Sequence, residues 1–181
     1  MNGPGEFTMT VGDYREAIAM IVALAAVGFD LRTRRIPNVL TFGAAAAALA
    51  AGAAGAGVGG LGTAVLGWLV GAVVFFPFFA LGGMGAGDVK LMAALGAWLG
   101  PVDAVWLAIF SSMAGGVVAV AVSVSRGYLQ QALANVWLML THWRVAGAGA
   151  VPGMTLRDTR GPRLAYAVPI AIGVLCTLWI R

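Results

Sequence analysis

The sequence predicts an all-α, polytopic membrane protein with about six transmembrane helices and one cytoplasmic amphipathic helix. Three observations carry that expectation. Of 181 residues, 61% are hydrophobic and only 10% are charged, whereas a soluble domain is nearer half apolar and a quarter charged. The mean hydropathy is +0.93, so lipid is the expected solvent for most of the chain. The few charges cut the sequence into apolar runs near the roughly 20 residues that one membrane crossing needs. This composition excludes a typical cytosolic enzyme, a disordered tail and a nucleic-acid binder with a long basic face. The 27 glycines follow no three-residue period, which excludes collagen. Cys176 is the one cysteine, so neither a disulfide framework nor a cysteine zinc site is expected.

The elements follow in chain order. Residues 1–13 form an N-terminal tail, and residues 14–181 a single six-span membrane domain. Within the tail, residues 1–8 contain Gly-Pro-Gly-Glu-Phe and read as a cloning remnant, with Met9 as the natural start. The first span covers 14–33. Its flank carries Asp13 and Glu16 in place of a basic cluster, which argues against a cleaved signal peptide. Asp30, Arg32, Arg34 and Arg35 close it. Pro37 breaks the chain, and Asn38 could cap the next helix. No charge then appears from residue 36 through 87, room for two spans, 38–58 and 61–82, with a tight turn near 58–62. Residues 43–62 are almost entirely alanine and glycine, and Gly55 and Gly59 form a G-x-x-x-G pair. Small residues let helix backbones approach closely in lipid. Internal packing is the expected use, and dimerisation the alternative. The fourth span, 88–101, opens with Asp88 and Lys90. Pro101 and Asp103 separate it from the fifth, 103–125, and the last span covers 163–180.

Six spans put both termini on one side. Arg15 and Arg181 fall there, while the other nine of the 11 basic residues fall opposite: Arg32, Arg34, Arg35, Lys90, Arg126, Arg144, Arg157, Arg160 and Arg163. The richer side is expected to be cytoplasmic, with both termini outside. Topology thus accounts for the net charge of +4, and no nucleic-acid partner is expected. Residues 126–163 then form a cytoplasmic loop. Within it Leu129, Leu133, Val136, Trp137, Leu140 and Trp143 recur at helical spacing, with Gln130, Gln131 and Asn135 off that stripe. This pattern predicts a helix lying at the membrane surface. The Gly- and Pro-rich stretch 145–162 reads as a mobile loop. His142, the sole histidine, sits beside Trp143 and reads as an interfacial side chain. No metal site is expected.

Asp30 and Asp88 are the residues that most need an explanation. A carboxylate within a bilayer costs about 2.5–3.5 kcal/mol even on insertion scales. Measured from Glu16 and from Pro101, each lies about 21 Å along its helix at about 1.5 Å per residue. The hydrocarbon core is about 30 Å thick. Both acids are therefore expected somewhat inside the cytoplasmic boundary, at similar depth, and they could meet if spans one and four pack together. Four glycines in Leu81-Gly-Gly-Met-Gly-Ala-Gly-Asp88 allow positive φ angles and close approach by another chain. Two acids in one apolar site titrate as a pair and can hold a single proton. The ionised member can deprotonate a water while the protonated one polarises a peptide carbonyl. Spacing alone leaves three readings open: catalysis, proton-coupled transport, and two unrelated acids, each neutral or paired with Arg34, Arg35 or Lys90.

Asp30-Leu-Arg-Thr-Arg-Arg-Ile-Pro-Asn38 together with Gly85-Ala-Gly-Asp88-Val-Lys-Leu-Met92 resembles the type IV prepilin peptidases. These are integral-membrane aspartic proteases with a GxGD motif. The resemblance runs from about Tyr14 to Gly173. Arg163-Leu-Ala-Tyr166-Ala-Val-Pro169-Ile-Ala-Ile-Gly173 is also similar to the last span of short members that serve Flp (tight-adherence) pili. The resemblance implies that Asp30 and Asp88 are the catalytic pair and that Gly85 and Gly87 shape the loop. It implies a prepilin or pseudopilin substrate, with a short basic leader cut on the cytoplasmic side after a glycine, and a bacterial inner-membrane location. Lys90 matches a family position, and both a role on the dyad and snorkelling to the interface suit it. Larger members carry a cytoplasmic region with paired cysteines and methylate the new N-terminus. This chain lacks that region, so the resemblance implies cleavage without methyl transfer and without any cofactor. Archaeal preflagellin peptidases are the close alternative. A proton-coupled transporter and a non-catalytic assembly scaffold are the competing classes, although no clear internal repeat supports the transporter.

Overall fold

The computed structural model of the chain describes residues 11–147, 149 and 165–180. The expectations for the tail 1–10, for the loop 150–162 and for Arg157, Arg160, Arg163 and Arg181 lie outside the described residues. Among the described residues all regular structure is helical: α1 (Val11–Thr33), α2 (Asn38–Ala80), α3 (Ala86–Leu99), α4 (Pro101–Ser125), α5 (Leu129–Ala146) and α6 (Ala167–Trp179). Two of them, α2 and α4, are long and apolar enough to cross a membrane.

α2 is not one rod. Ala56 (φ −139°, ψ 24°) and Gly57 (φ 57°, ψ −139°) leave the helical conformation. A Cβ built on Gly52 would lie 2.6 Å from the Gly60 carbonyl oxygen and 3.3 Å from Ala64 Cβ. Along a straight helix, positions 52 and 60 would stand about 12 Å apart. The chain therefore turns back on itself, and α2 is a hairpin of arms 38–55 and 58–80. The expected turn near 58–62 is corrected to 56–57. In a tract of alanine and glycine hydropathy gives no stop signal. The turn falls where Gly57 takes a left-handed φ at no Cβ cost. The G-x-x-x-G pair Gly55 and Gly59 makes no close helix contact. Gly59 faces open space, and Gly55 has only an Arg15 guanidinium nitrogen at 3.9 Å.

α3 is the centre of the bundle. Every residue from Leu91 to Leu99 is buried, and α2, α1 and α4 pack around it. Its closest neighbour is the second arm of α2, in an antiparallel register read from small residues. Thr63 meets Gly100, Gly67 meets Gly96, and Gly71 meets Met92. At Gly67 and Gly96 backbone touches backbone because neither side carries a Cβ, and at Gly71 the missing Cβ lets α2 rest on the Met92 backbone. α6 lies antiparallel on α4, with Gly115 against Tyr166 and Gly173 against Ser111, and its other face packs on α1. Gly100 (φ 91°) joins α3 to α4, so those helices start slightly earlier than the expected 88 and 103.

The outer faces are apolar. Ile21, Leu66, Val73 and Val117 are 55–69% exposed, while the buried positions of α2 are mostly alanine and glycine. That reverses the soluble pattern of large apolar residues inside and polar ones outside. The expected amphipathic helix is present as α5. It packs on α4, and Leu133, Val136, Trp137 and Leu140 of its stripe are exposed.

Candidate active site at the α1, α3 and α6 junction

Asp30 sits in the last turns of α1. That helix stops because Arg34 takes a left-handed conformation (φ 54°) and donates its N–H to the Asp30 carbonyl at 2.9 Å. The Thr33 hydroxyl lies 2.9 Å from the Phe29 carbonyl and 3.0 Å from that of Arg35. The Asp30 side chain turns inward and is only 7% exposed. Its Oδ2 accepts the backbone N–H of Ala167 at 3.3 Å. Ala167 opens α6, where the first N–H groups have no helical partner. The carboxylate thus satisfies a donor that burial would otherwise strand.

Asp88 sits in the first turn of α3. The approach to it is fixed by the end of α2. Gly82 (φ 76°) donates to the Phe79 carbonyl and Gly83 to that of Phe78, each at 2.9 Å. This is the paired closure that ends helices on a left-handed glycine. Met84 is then buried, and Gly85 precedes α3 with an ordinary extended φ of −77°. Of the four glycines before Asp88, only Gly82 takes positive φ. The expectation that the others supply unusual torsions is corrected: Gly85 supplies space instead. A Cβ on Gly85 would stand 3.0 Å from Asp88 Oδ2. A Cβ on Gly87 would meet Ile36 Cβ at 3.4 Å, an ordinary contact. Gly85→Ala is therefore expected to displace the Asp88 carboxylate and lower turnover about tenfold or more, with the thermal midpoint little changed. Gly87→Ala is expected to remain active. The measurement is turnover and thermal midpoint of both variants side by side; equal turnover would mean that crowding at Asp88 is irrelevant.

Packing of α1 on α3 brings the two acids together. The Asp88 carboxylate lies close enough to Asp30 for their charges to interact, and its charge also acts on the neutral Tyr166 phenol. The other expected site residues form the rim. Pro37 (φ −62°) precedes α2, and its carbonyl accepts from Leu40 and Thr41. Asn38 does not cap α2 through its side chain, which corrects the expectation. Its Oδ1 accepts instead from Lys90 Nζ at 2.9 Å, and that ammonium also lies over the Phe42 ring at 5.1 Å. Positions 88 and 90 do not share a helix face. Lys90 therefore ties α3 to α2 at the rim, while Asp88 faces the centre.

Two features of this junction were not singled out from sequence: the Ala167 N–H and the Tyr166 side chain. The Tyr166 ring packs edge-on against Phe75 with centroids 6.2 Å apart. Tyr166 belongs to a recognisable segment of the chain, but no local signal links it to acids so far away in sequence.

Residues 17–120, more than half of the 181-residue chain, match the family described as the type IV leader peptidase family. The matched stretch includes both acids and ends before α6. Over 104 residues the chain is 36% identical to the type 4 prepilin-like proteins leader peptide-processing enzyme of Escherichia coli O78:H11 (strain H10407 / ETEC), covering 54% of this chain and 39% of the relative. The chain thus spans well under half of that relative's length. No solved structure matches the chain.

Proposed function

The chain belongs to the type IV leader peptidase family, and from that premise we propose that it is a membrane-embedded aspartic endopeptidase acting on Flp-type prepilins or pseudopilins. It removes the short basic leader at the cytoplasmic face and does not methylate the new N-terminus. The observation that carries this reading is the meeting of Asp30 and Asp88, from helices far apart in sequence, within charge-interaction distance in an apolar bundle. Asp30, Asp88, Gly85, Gly87, Pro37, Asn38 and Lys90 make up the site. The first two are catalytic, and the rest shape its loop and rim.

The chemistry follows from one shared proton. The ionised acid takes a proton from water, and the water oxygen attacks the scissile carbonyl carbon. The protonated acid donates to the carbonyl oxygen as the tetrahedral intermediate forms. The proton taken from water then passes to the leaving nitrogen, the C–N bond breaks, and one hydroxyl proton of the intermediate returns to the acid that had donated as the new carboxyl group forms, which restores the single shared proton.

The two arms of α2 supply two crossings, and α1, α3, α4 and α6 supply the other four of a single membrane domain over 14–181. The distribution of basic residues turns the acid-bearing end toward the cytoplasm and both termini outward. The helix α3 has 14 residues, about 21 Å, so Asp88 starts below the surface of a core about 30 Å thick.

The test is co-expression with a Flp-type prepilin, followed by sequencing and mass measurement of the product N-terminus. A new N-terminus directly after the leader glycine, carrying no methyl group, is the expected product. Uncut prepilin would overturn the peptidase reading, and a methylated N-terminus would overturn the cleavage-only reading.

A further inference from the structure

The junction holds a third polar side chain besides the two acids. Tyr166 immediately precedes Ala167, whose N–H is bound to Asp30 Oδ2. Three helices fix its ring. It holds the N-cap position of α6, it stands edge-on to Phe75 of α2 at an interplanar angle of 65°, and its hydroxyl end rests on α4. A Cβ on Gly115 would come within 2.7 Å of the Tyr166 hydroxyl oxygen and 3.0 Å of Cε2 and Cζ. Gly115 leaves room for a phenol at this place, and the buried ring of Phe75 covers its other side. In the register that sets Gly71 against Met92, Phe75 stands one turn further along α2, level with Asp88 one turn back along α3, so the phenol packed on Phe75 lies at the depth of Asp88, whose charge reaches it. A phenol both donates and accepts a hydrogen bond, so it can serve the pair in either protonation state.

We propose that Tyr166 is a positioning residue for Asp88, its hydroxyl donating to the Asp88 carboxylate so that the acid holds one orientation toward the water. The inference rests on the reading of Asp30 and Asp88 as the catalytic pair and adds a member to it. Site hydrogen bonds of this kind often close fully only around bound substrate. Among the described residues, the groups facing Asp88 are Asp30 from α1 and Tyr166 from α6. The α2 and α4 neighbours of the phenol, Phe75 and Gly115, do not titrate, and Lys90 on α3 is held by Asn38.

The experiment compares the full chain with Tyr166→Phe, Gly115→Ala, Asp30→Asn and Asp88→Asn, measuring prepilin cleavage across pH and thermal midpoints in detergent. Tyr166→Phe keeps the ring on Phe75 and removes only the hydroxyl. Its expected kcat is about 10- to 100-fold lower, the loss of a hydrogen bond to a charged group. KM and thermal midpoint stay near wild type, and the acid limb of the pH profile is displaced. Gly115→Ala keeps the hydroxyl but pushes the ring end aside, and it is expected to displace the same limb. It also decides the matter should Tyr166→Phe prove unstable. Wild-type kcat and pH profile in both Tyr166→Phe and Gly115→Ala, with both Asp→Asn variants inactive, would overturn this inference alone. Full cleavage by both Asp→Asn variants would overturn it together with the dyad.

Discussion

Asp30→Asn and Asp88→Asn are each expected to lower prepilin cleavage by at least about 10²- to 10⁴-fold, the usual contribution of one general acid or base. Asparagine keeps the shape of the side chain. At position 30 it can still accept the Ala167 N–H, so the helix junction is expected to survive and the thermal midpoint to change little. Loss of activity with retention of fold separates chemistry from architecture. The wild-type rate is expected to be bell-shaped in pH. In acid both carboxyls hold protons and none can take one from water; in alkali neither holds a proton to give. The two limbs belong to the pair and not to either residue. A flat profile across acid and neutral pH, or full processing by either Asn variant, would remove the dyad from the mechanism.

Gly67→Ala is expected to be the most damaging single-methyl change in the bundle. The added carbon would strike the Gly96 carbonyl oxygen and stand 2.8 Å from the Gly96 carbonyl carbon and 3.0 Å from that of Gly100. All of these are backbone atoms, so no side-chain rotation relieves the clash, and α2 and α3 must separate. Overpacking of this kind costs about 1–3 kcal/mol or more. It is also expected to reduce cleavage, because α3 carries Asp88. Gly62→Ala, on the same arm, meets nothing within 4 Å and is expected to gain up to about 1 kcal/mol from helix propensity alone. The same chemical change thus has opposite signs five residues apart along one helix arm. Thermal midpoints in one detergent check both, and equal shifts would mean that α2 and α3 do not meet at Gly67 and Gly96.

Much of the architecture was legible because transfer into lipid is a property of each segment by itself. Charges at Glu16, Arg32 and Lys90 marked the ends of apolar runs. The depth count from Pro101 gave Asp88 the start of a short helix, and α3 has that form. The recurrence at helical spacing from Leu129 to Trp143 predicted α5. The turn inside α2 was less legible, since one glycine in an alanine and glycine tract is locally like another. Only the folded chain identifies the pivot, through the torsions of Ala56 and Gly57 and the meeting of Gly52 with Gly60. Asn38 shows a related failure. Its position before a helix favours capping, but an ammonium 52 residues further along the chain competes for the same oxygen and takes it.

The sequence by itself determined the all-helical class, the apolar surface and the two acids whose presence within apolar runs demanded a reason. These follow from single residues and their solvent, and they survive any rearrangement of the helices. Tertiary structure alone decided that α1 and α3 pack so that Asp30 and Asp88 meet. It also brought in Ala167, 137 positions from Asp30, and with it Tyr166. The physical reason is the absence of a hydrophobic force between helices in lipid. Which faces join then depends on where missing Cβ atoms let backbones touch. A segment can show its own small-residue face, as Gly60, Ala64, Gly67 and Gly71 do, but not which distant segment that face will meet.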